Sequence, residues 1–214
     1  METLLLARHG FAGSNRADVA SSAIPGEGLT AEGIEQARAL GGLLAGTEIG
    51  LAATTELART QETLRLALDG RAVSTIIVPE LNEIRFGSFD GGPLDTYRAW
   101  AASHSPSEPA PGGGESRADA AARFARGLRA LLARSEVALL VVGHALPLRY
   151  VVDAAVGLVP APRMAPVAHA HPFHLGREDI VRAAEVLEEW SVEPRFRDPS
   201  MEGSVTWDVT RPPS

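Results

Sequence analysis

The sequence predicts an α/β protein, a three-layer α/β/α sandwich around a mainly parallel central sheet. Three observations carry this expectation. Two short runs, Thr3 to Ala7 and Val137 to Val142, are apolar or nearly so at consecutive positions, the pattern of strands buried on both faces. Segments with helical apolar spacing lie between the strand candidates, so the connections are βα units, which build parallel sheets. Both runs end in polar chemistry, Arg8-His9-Gly10 after the first and Gly143-His144 after the second. Ligands of such sheets bind beyond the carboxyl ends of the strands.

The elements follow in order. After the first strand, Phe11 to Gly28 is rich in Gly, Ser, Asn, Asp and Ala and reads as a long loop. Thr30 is positioned to cap a helix from about Ala31 to Ala45, with Ile34, Ala37, Leu40, Gly41 and Leu44 as its apolar stripe. Leu51-Ala52-Ala53 is a short strand ending in Thr54-Thr55, and Thr55 is the expected N-cap of a helix from Leu57 to Leu68. Thr75 to Val78 is a third strand, Leu81 to Gly92 a loop, and Pro93 to Ser103 a short helix. His104 to Glu115 is a Pro/Gly-rich loop, in which His104 and Gly112 to Gly114 could lid a pocket or form a mobile surface loop. Ser116 to Ala133 is helical, with Ala121, Phe124, Leu128, Leu131 and Leu132 at helical spacing. A helix from Leu146 to Val156 follows the second buried strand, with Pro147 in its first turn. Pro160 to Pro166 is a loop, Val167 to Leu175 an edge strand with three histidines, and Arg177 to Trp190 a helix. Ser204 to Val209 could add a further strand.

Composition narrows the class. The 214 residues are 45% hydrophobic, enough for one sizeable core, and no clear two-domain boundary is visible. We expect one domain over 1–214, with a core over about 1–160 and a C-terminal extension over about 165–214. Net charge is −7, with no basic cluster of the kind nucleic-acid binding needs. The chain has no cysteine, which removes disulfides, thiolate nucleophiles and Cys-based zinc sites. No basic n-region precedes Leu4 to Ala7, and no apolar run approaches the roughly 20 residues of a membrane helix. The expectation is a cytoplasmic protein without nucleic-acid or membrane partners, its oligomeric state open, a homodimer included.

His9 is the first chemical candidate. A lone histidine is commonly structural, but this one follows a buried strand, sits between Arg and Gly, and opens a polar loop. As a nucleophile its imidazole must be neutral with one nitrogen free, and a backbone carbonyl accepting from the other would fix that tautomer. Gly10 would let a ligand approach the backbone closely. Arg8 at the sheet edge suits bidentate contact with phosphate oxygens. Arg59 falls in the first turn of its helix, where the dipole disfavours a cation by roughly 0.3–1 kcal/mol. A bound anion would relieve that conflict. The two most hydrophobic strands are the expected central neighbours, so His9 and His144 should face each other across one pocket. Glu83, among apolar neighbours, could carry a raised pKa and protonate a leaving group. Glu80 and Asp90 compete with it, and spacing alone does not choose.

These segments resemble the histidine phosphatase superfamily, also called phosphoglycerate mutase-like. Arg8-His9-Gly10 with Asn15 resembles the family's RHG-x4-N signature, and Leu29 to Ala37 its LT-x2-G-x2-QA helix start. Thr54 to Thr63 resembles the segment carrying the second arginine. Leu81-Asn82-Glu83 with Phe86-Gly87 and Asp90-Gly91 resembles the L-x-E-x2-FG-x-x-EG block, and Gly114-Glu115-Ser116 the GES that opens the next helix. Val142-Gly143-His144 resembles the second-histidine strand end. The motifs occur in family order over roughly residues 3 to 150.

The resemblance implies a phosphoglycerate mutase-like fold and a phosphoric monoester hydrolase of histidine acid type. It implies His9 as the nucleophile that becomes phosphohistidine. Arg8, Arg59 and His144 would bind the phosphoryl group with help from Asn15, and Glu83 would act as acid, then base. No cofactor and no metal are implied; the partner is a small phosphorylated substrate. Alternatives are a phosphoglycerate-type phosphomutase and a weakly catalytic phospho-ligand sensor. Phe11 stands where mutases of the family carry Glu, Ala12 where they carry Ser or Thr, Ala145 where Gly is common, and Thr54-Thr55 where Ser is usual. Phe11 and the chain length favour hydrolysis, and an aromatic ring at the pocket mouth would suit a substrate with an apolar part. Specificity is expected in Phe11 to Gly28, Phe86 to Tyr97 and His104 to Glu115. His169, His171 and His174 raise a metal-site idea, since 169 and 171 would share a strand face, but no carboxylate sits at helpful spacing.

Overall fold

A computed structural model describes residues 1–198. In chain order the elements are β1 (Thr3–Arg8), α1 (Gly13–Ala17), α2 (Ala31–Leu43), β2 (Leu51–Thr54), α3 (Ala58–Ala67) and β3 (Ser74–Ile77). Then come α4 (Leu94–Ser103), α5 (Arg117–Leu132), β4 (Ala138–Gly143), α6 (Ala145–Ala155), β5 (Pro172–Gly176) and α7 (Arg177–Val192). The strands form one sheet in the order β3-β2-β4-β1-β5. The first four are parallel, and β5 runs antiparallel on β1. This is the three-layer sandwich expected, with the two most apolar strands as central neighbours.

Side chains alternate across a strand, so each apolar run feeds two cores. Leu4 and Leu6 of β1, with Leu139 and Val141 of β4, face the core under α5, α6 and α7. Leu5 and Ala7, with Leu140 and Val142, face the core under α2 and α3. That is why neither strand alternates in sequence. By contrast, β3 is an edge strand and mostly exposed.

Local chemistry sets the helix starts. Thr30 accepts from the Gly33 amide and caps α2, and Ser116 caps α5 by accepting from the Asp119 amide. Thr55 does not cap its helix: Leu57 holds that position without a side-chain bond. The Phe11–Gly28 stretch is not all loop, because α1 forms within it. The expected Val167–Leu175 strand starts only at Pro172. Ala170, at φ 48°, breaks the extended backbone before it, so His169 and His171 do not share a strand face. The Ser204–Val209 strand expectation lies outside the described residues.

Gly10 serves packing. A Cβ there would lie 2.5 Å from the Gly33 carbonyl oxygen, and one on Gly33 would collide with the Phe11 backbone. The end of β1 therefore rests directly on the first turn of α2, and Gly10 N–H donates to Thr63 Oγ1 of α3 at 2.9 Å.

Candidate active site

Register builds the centre of the site. Arg8 pairs with Gly143 across β1 and β4, so the next residue on each strand, His9 and His144, emerges side by side. His9 N–H donates to the Gly143 carbonyl at 3.0 Å, and the imidazole centroids are 5.4 Å apart, edge to face. On the other side of β4, β2 delivers Thr55, whose Oγ1 lies 2.9 Å from His144 Nε2. Both imidazoles are buried.

His9 has one nitrogen committed and one available. Nδ1–H donates to the Gly10 carbonyl at 2.7 Å, so Nε2 holds the lone pair and accepts from Arg59 Nε–H at 3.1 Å. Burial pushes its pKa well below the usual histidine value, and the Arg59 and Arg8 charges push it the same way. The ring is therefore neutral at neutral pH. Burial likewise holds His144 well below its usual value, helped by Arg59, His9 and Arg8. His144 Nδ1 is buried without a protein partner.

The cations converge on the same place. Arg8 Nη1 donates to the Val167 carbonyl at 2.8 Å, and its Nε is a buried donor with no protein acceptor. Burial lowers its pKa to about 10, which leaves it charged. Arg59 is only 3% exposed. It reaches from the first turn of α3 to His9 and to the Ser21 carbonyl at 2.9 Å. Neither arginine makes an ion pair among the described residues, and both line a cavity of about 650 Å³. Asn15 also lines it, with Oδ1 accepting from the Ala12 amide at 3.0 Å.

The structure separates the three competing acids. Glu83 lines the cavity, and burial raises its pKa against the opposing pull of Arg59, the Ile84 amide, Arg8 and Arg123. Glu80 does not line it, and Asp90 accepts from the Ser22 amide at 2.7 Å. Glu83 is held by backbone. Arg123 of α5 donates to the carbonyls of Glu80, Asn82 and Glu83, while its other donors grip Glu115 at 2.7 and 2.8 Å. Burial would raise the Glu115 pKa, but the Arg123 bonds and charge outweigh it and hold it below the usual carboxylate range. Gly114-Glu115-Ser116 thus clamps the acid's loop from behind.

Other expectations need correction. Phe11 is not part of the cavity lining; its ring packs on His169 at 5.3 Å, so it supplies no aromatic ring at the mouth. His104 stacks on Trp100, and Gly112 packs against Ser88, so the His104–Glu115 loop is not a lid. The wall comes instead from α4 and from Pro162 to Val167. His169 sits beside the site: its Nδ1 donates to the His9 carbonyl at 2.8 Å, and burial lowers its pKa to about 4. Among the described residues, no group of three His, Asp or Glu is arranged to hold a metal ion.

Sequence reasoning also passed over several residues. The sequence reading gives Thr55 only as a cap and does not single out Arg123 or three further cavity arginines, Arg98, Arg117 and Arg163. Five arginines and two carboxylates, Glu83 and Asp95, line the cavity. The protein's charge is −7, so this is a strongly positive site in an acidic molecule.

A buried histidine pair flanked by arginines at the carboxyl edge of a parallel sheet defines a phosphoryl-handling class of protein. Residues 4–193 match the histidine phosphatase superfamily (branch 1), and the chain belongs to that family. The adenosylcobalamin/α-ribazole phosphatase of Escherichia coli K12 is 44% identical over 87 residues, 41% of this chain. That match spans 42% of the relative's own length. The solved α-ribazole phosphatase of Shigella flexneri is 30% identical, covering 80% of this chain and 89% of that one at a TM-score of 0.70. A mycobacterial glucosyl-3-phosphoglycerate phosphatase shares the fold at 21% identity and a TM-score of 0.68, covering 81% and 89% of the two chains. Among the described residues no helix is long and apolar enough to cross a membrane.

Proposed function

We propose that this chain is a metal-independent phosphomonoester hydrolase that works through a phosphohistidine at His9. The observation that carries the proposal is the His9 ring: neutral, its Nδ1 proton tied to Gly10, its Nε2 lone pair among guanidiniums. Phosphoryl transfer asks a protein chiefly for positioning and for cancellation of charge on the equatorial oxygens. Arg8 and Arg59 supply the charge. The scheme assigns the Thr55 hydroxyl as donor to Nε2 of His144, which puts the ring's proton on Nδ1 for a phosphoryl oxygen. Asn15 assists through its free amide.

In the first step, His9 Nε2 forms the N–P bond as the ester P–O bond breaks, and Glu83 gives its proton to the departing oxygen. The raised pKa of Glu83 keeps that proton available. In the second, Glu83 takes a proton from water while the water oxygen bonds phosphorus and the N–P bond breaks. Inorganic phosphate leaves, and Glu83 is again protonated. The substrate class is a small phosphorylated metabolite, handled in the cytoplasm by one domain. Because α-ribazole phosphatases are among its relatives, α-ribazole phosphate, whose leaving group carries no second anion, is the reference substrate for the assay.

The test is hydrolysis of an aryl phosphate in the presence of a chelator, with acid-labile phosphoenzyme trapped by rapid quench. His9→Ala should remove the phosphoenzyme and lower kcat by at least about 10³-fold, with circular dichroism unchanged. Undiminished turnover in that variant, or loss of wild-type activity to the chelator, would overturn the scheme. Turnover of phosphoglycerate that requires a bisphosphorylated primer would indicate a mutase instead.

A further inference from the structure

The positive charge of the cavity is not used up by one phosphate. Arg117, at the start of α5, is 6% exposed and lines the cavity. Its Nε donates to Tyr97 Oη at 3.2 Å and its Nη1 to Tyr150 Oη at 3.1 Å. Its guanidinium also lies 5.6 Å from the Tyr97 ring centroid. Burial pushes both phenols above their usual pKa, so the two oxygens facing this cation are uncharged at neutral pH. Arg117 makes no ion pair among the described residues. Nη2 makes no hydrogen bond among the described residues and is not fully sealed, and Arg117 lines the cavity.

The two cavity carboxylates do not answer for it. Asp95 is engaged by Arg98 at 2.9 Å, and Glu83 is the proton donor facing Arg59 and Arg8. A buried guanidinium without an anion carries a desolvation cost that neutral phenols only partly offset. With Nε–H and one Nη1 hydrogen held by the two phenols, the Nη2 hydrogens remain as charged donors for a carboxylate or phosphate. The cavity, at about 650 Å³, is also far larger than a phosphoryl group and within the range of drug-sized ligands.

We propose that Arg117 forms a second anion subsite, so that the substrate is a phosphomonoester whose leaving group carries its own carboxylate or phosphate. The first anion occupies the His9 end, and Arg117 takes the other. This rests on the phosphatase reading only for the identity of the first anion. The leaving group is then an acidic metabolite, and apolar cavity residues such as Phe86 and Met164 cover its uncharged span.

Binding can be measured without turnover. Alkane-1,ω-bisphosphonates with spacers from ethane to hexane are titrated calorimetrically against the full chain, beside alkyl monophosphonates of matched length. At one spacer length the bisphosphonate should bind at least about tenfold more tightly than its match, the gain of one charge-assisted contact. Arg117→Met should abolish that advantage, and Arg117→Lys, which keeps the charge but not the fork, should keep part of it. Arg163→Ala, at the cavity mouth, should leave it in place. If no spacer gives wild type an advantage, the subsite does not exist, whatever the variants do. If the advantage survives in both Arg117 variants but falls in Arg163→Ala, the second anion binds at the mouth and the assignment is wrong. Failure of the phosphatase reading would show separately, as absence of phosphoenzyme, while the calorimetric preference would stand.

Discussion

The two ends of the cavity are built differently. At the His9 end the backbone sets the positions: the β1–β4 register places both imidazoles, and the first turn of α3 places Arg59. At the Arg117 end the groups are side chains on α4, α5 and the Pro162–Val167 segment, held by phenols and ring contacts. The first end is a geometry that any member of the family could share. The second is composition, and on the proposed subsite it would set which ester fits. In the proposed scheme, chemistry and selectivity are carried by different kinds of structure in one pocket.

The sharpest way to break this division, after loss of His9 itself, is at Glu83. Glu83→Gln should lower kcat/KM for an alkyl phosphate by about 10²–10⁴-fold, the usual worth of a positioned proton donor. An ester with a good leaving group, which needs no proton, should lose much less in the first step, read as the burst of released alcohol. Equal losses for both esters would show that Glu83 positions the substrate and does not protonate it. Wild-type kcat/KM for the alkyl ester should also fall as pH rises through the raised pKa of Glu83, because only the protonated acid serves the first step.

A smaller effect is expected from behind the acid. Arg123→Met removes the clamp on the Glu80–Glu83 carbonyls and strands the buried Glu115. Stability should fall by about 3–5 kcal/mol in chemical denaturation, the usual result of removing one partner of a buried pair. Double replacement with Glu115→Gln should recover part of that stability without restoring kcat, because the carbonyls remain unheld. Full recovery of kcat would mean that the clamp does not position Glu83.

The smallest effect concerns acid. His9, His144 and His169 all have folded pKa values depressed from about 6.5, His169 to about 4. Below about pH 6.5 the unfolded chain takes up protons that the folded one refuses, so stability falls as pH drops from 7 toward 5. Glu83, raised in the fold, acts in the opposite sense over its own range but is one group against three. His169→Gln should flatten the urea-midpoint profile over that window. An unchanged slope would place His169 in water and not against the His9 carbonyl.

Legibility in the sequence follows the same division. The unbroken apolar runs revealed β1 and β4 as buried neighbours, and from that pairing came the facing histidines. Arg59 was readable because a cation in a first helical turn conflicts with the dipole. The same argument applies to Arg117, the first residue of α5, and would have flagged it. Thr55 was misassigned because a threonine before a helix reads as a cap. The partner that claims its hydroxyl, His144, lies 89 positions away. The Pro162–Val167 wall and the place of His169 depend on how a loop returns over β1, which local pattern does not encode. Phe11 was read as a pocket residue because it follows the motif, whereas the Gly10–Gly33 contact turns its backbone into α2.

That contact, backbone against backbone where β1 meets α2, has an energetic meaning for turnover. His9 is followed by a residue with no side chain, pinned to Gly33 on one side and Thr63 on the other. The ring is oriented by the carbonyl of that same pinned residue. If His9 is the nucleophile proposed above, the entropy of aiming it is spent during folding and is not charged again at each encounter with substrate. An enlarged residue at position 10 would leave the imidazole chemically intact and still slow, because its ready orientation would have become one of many.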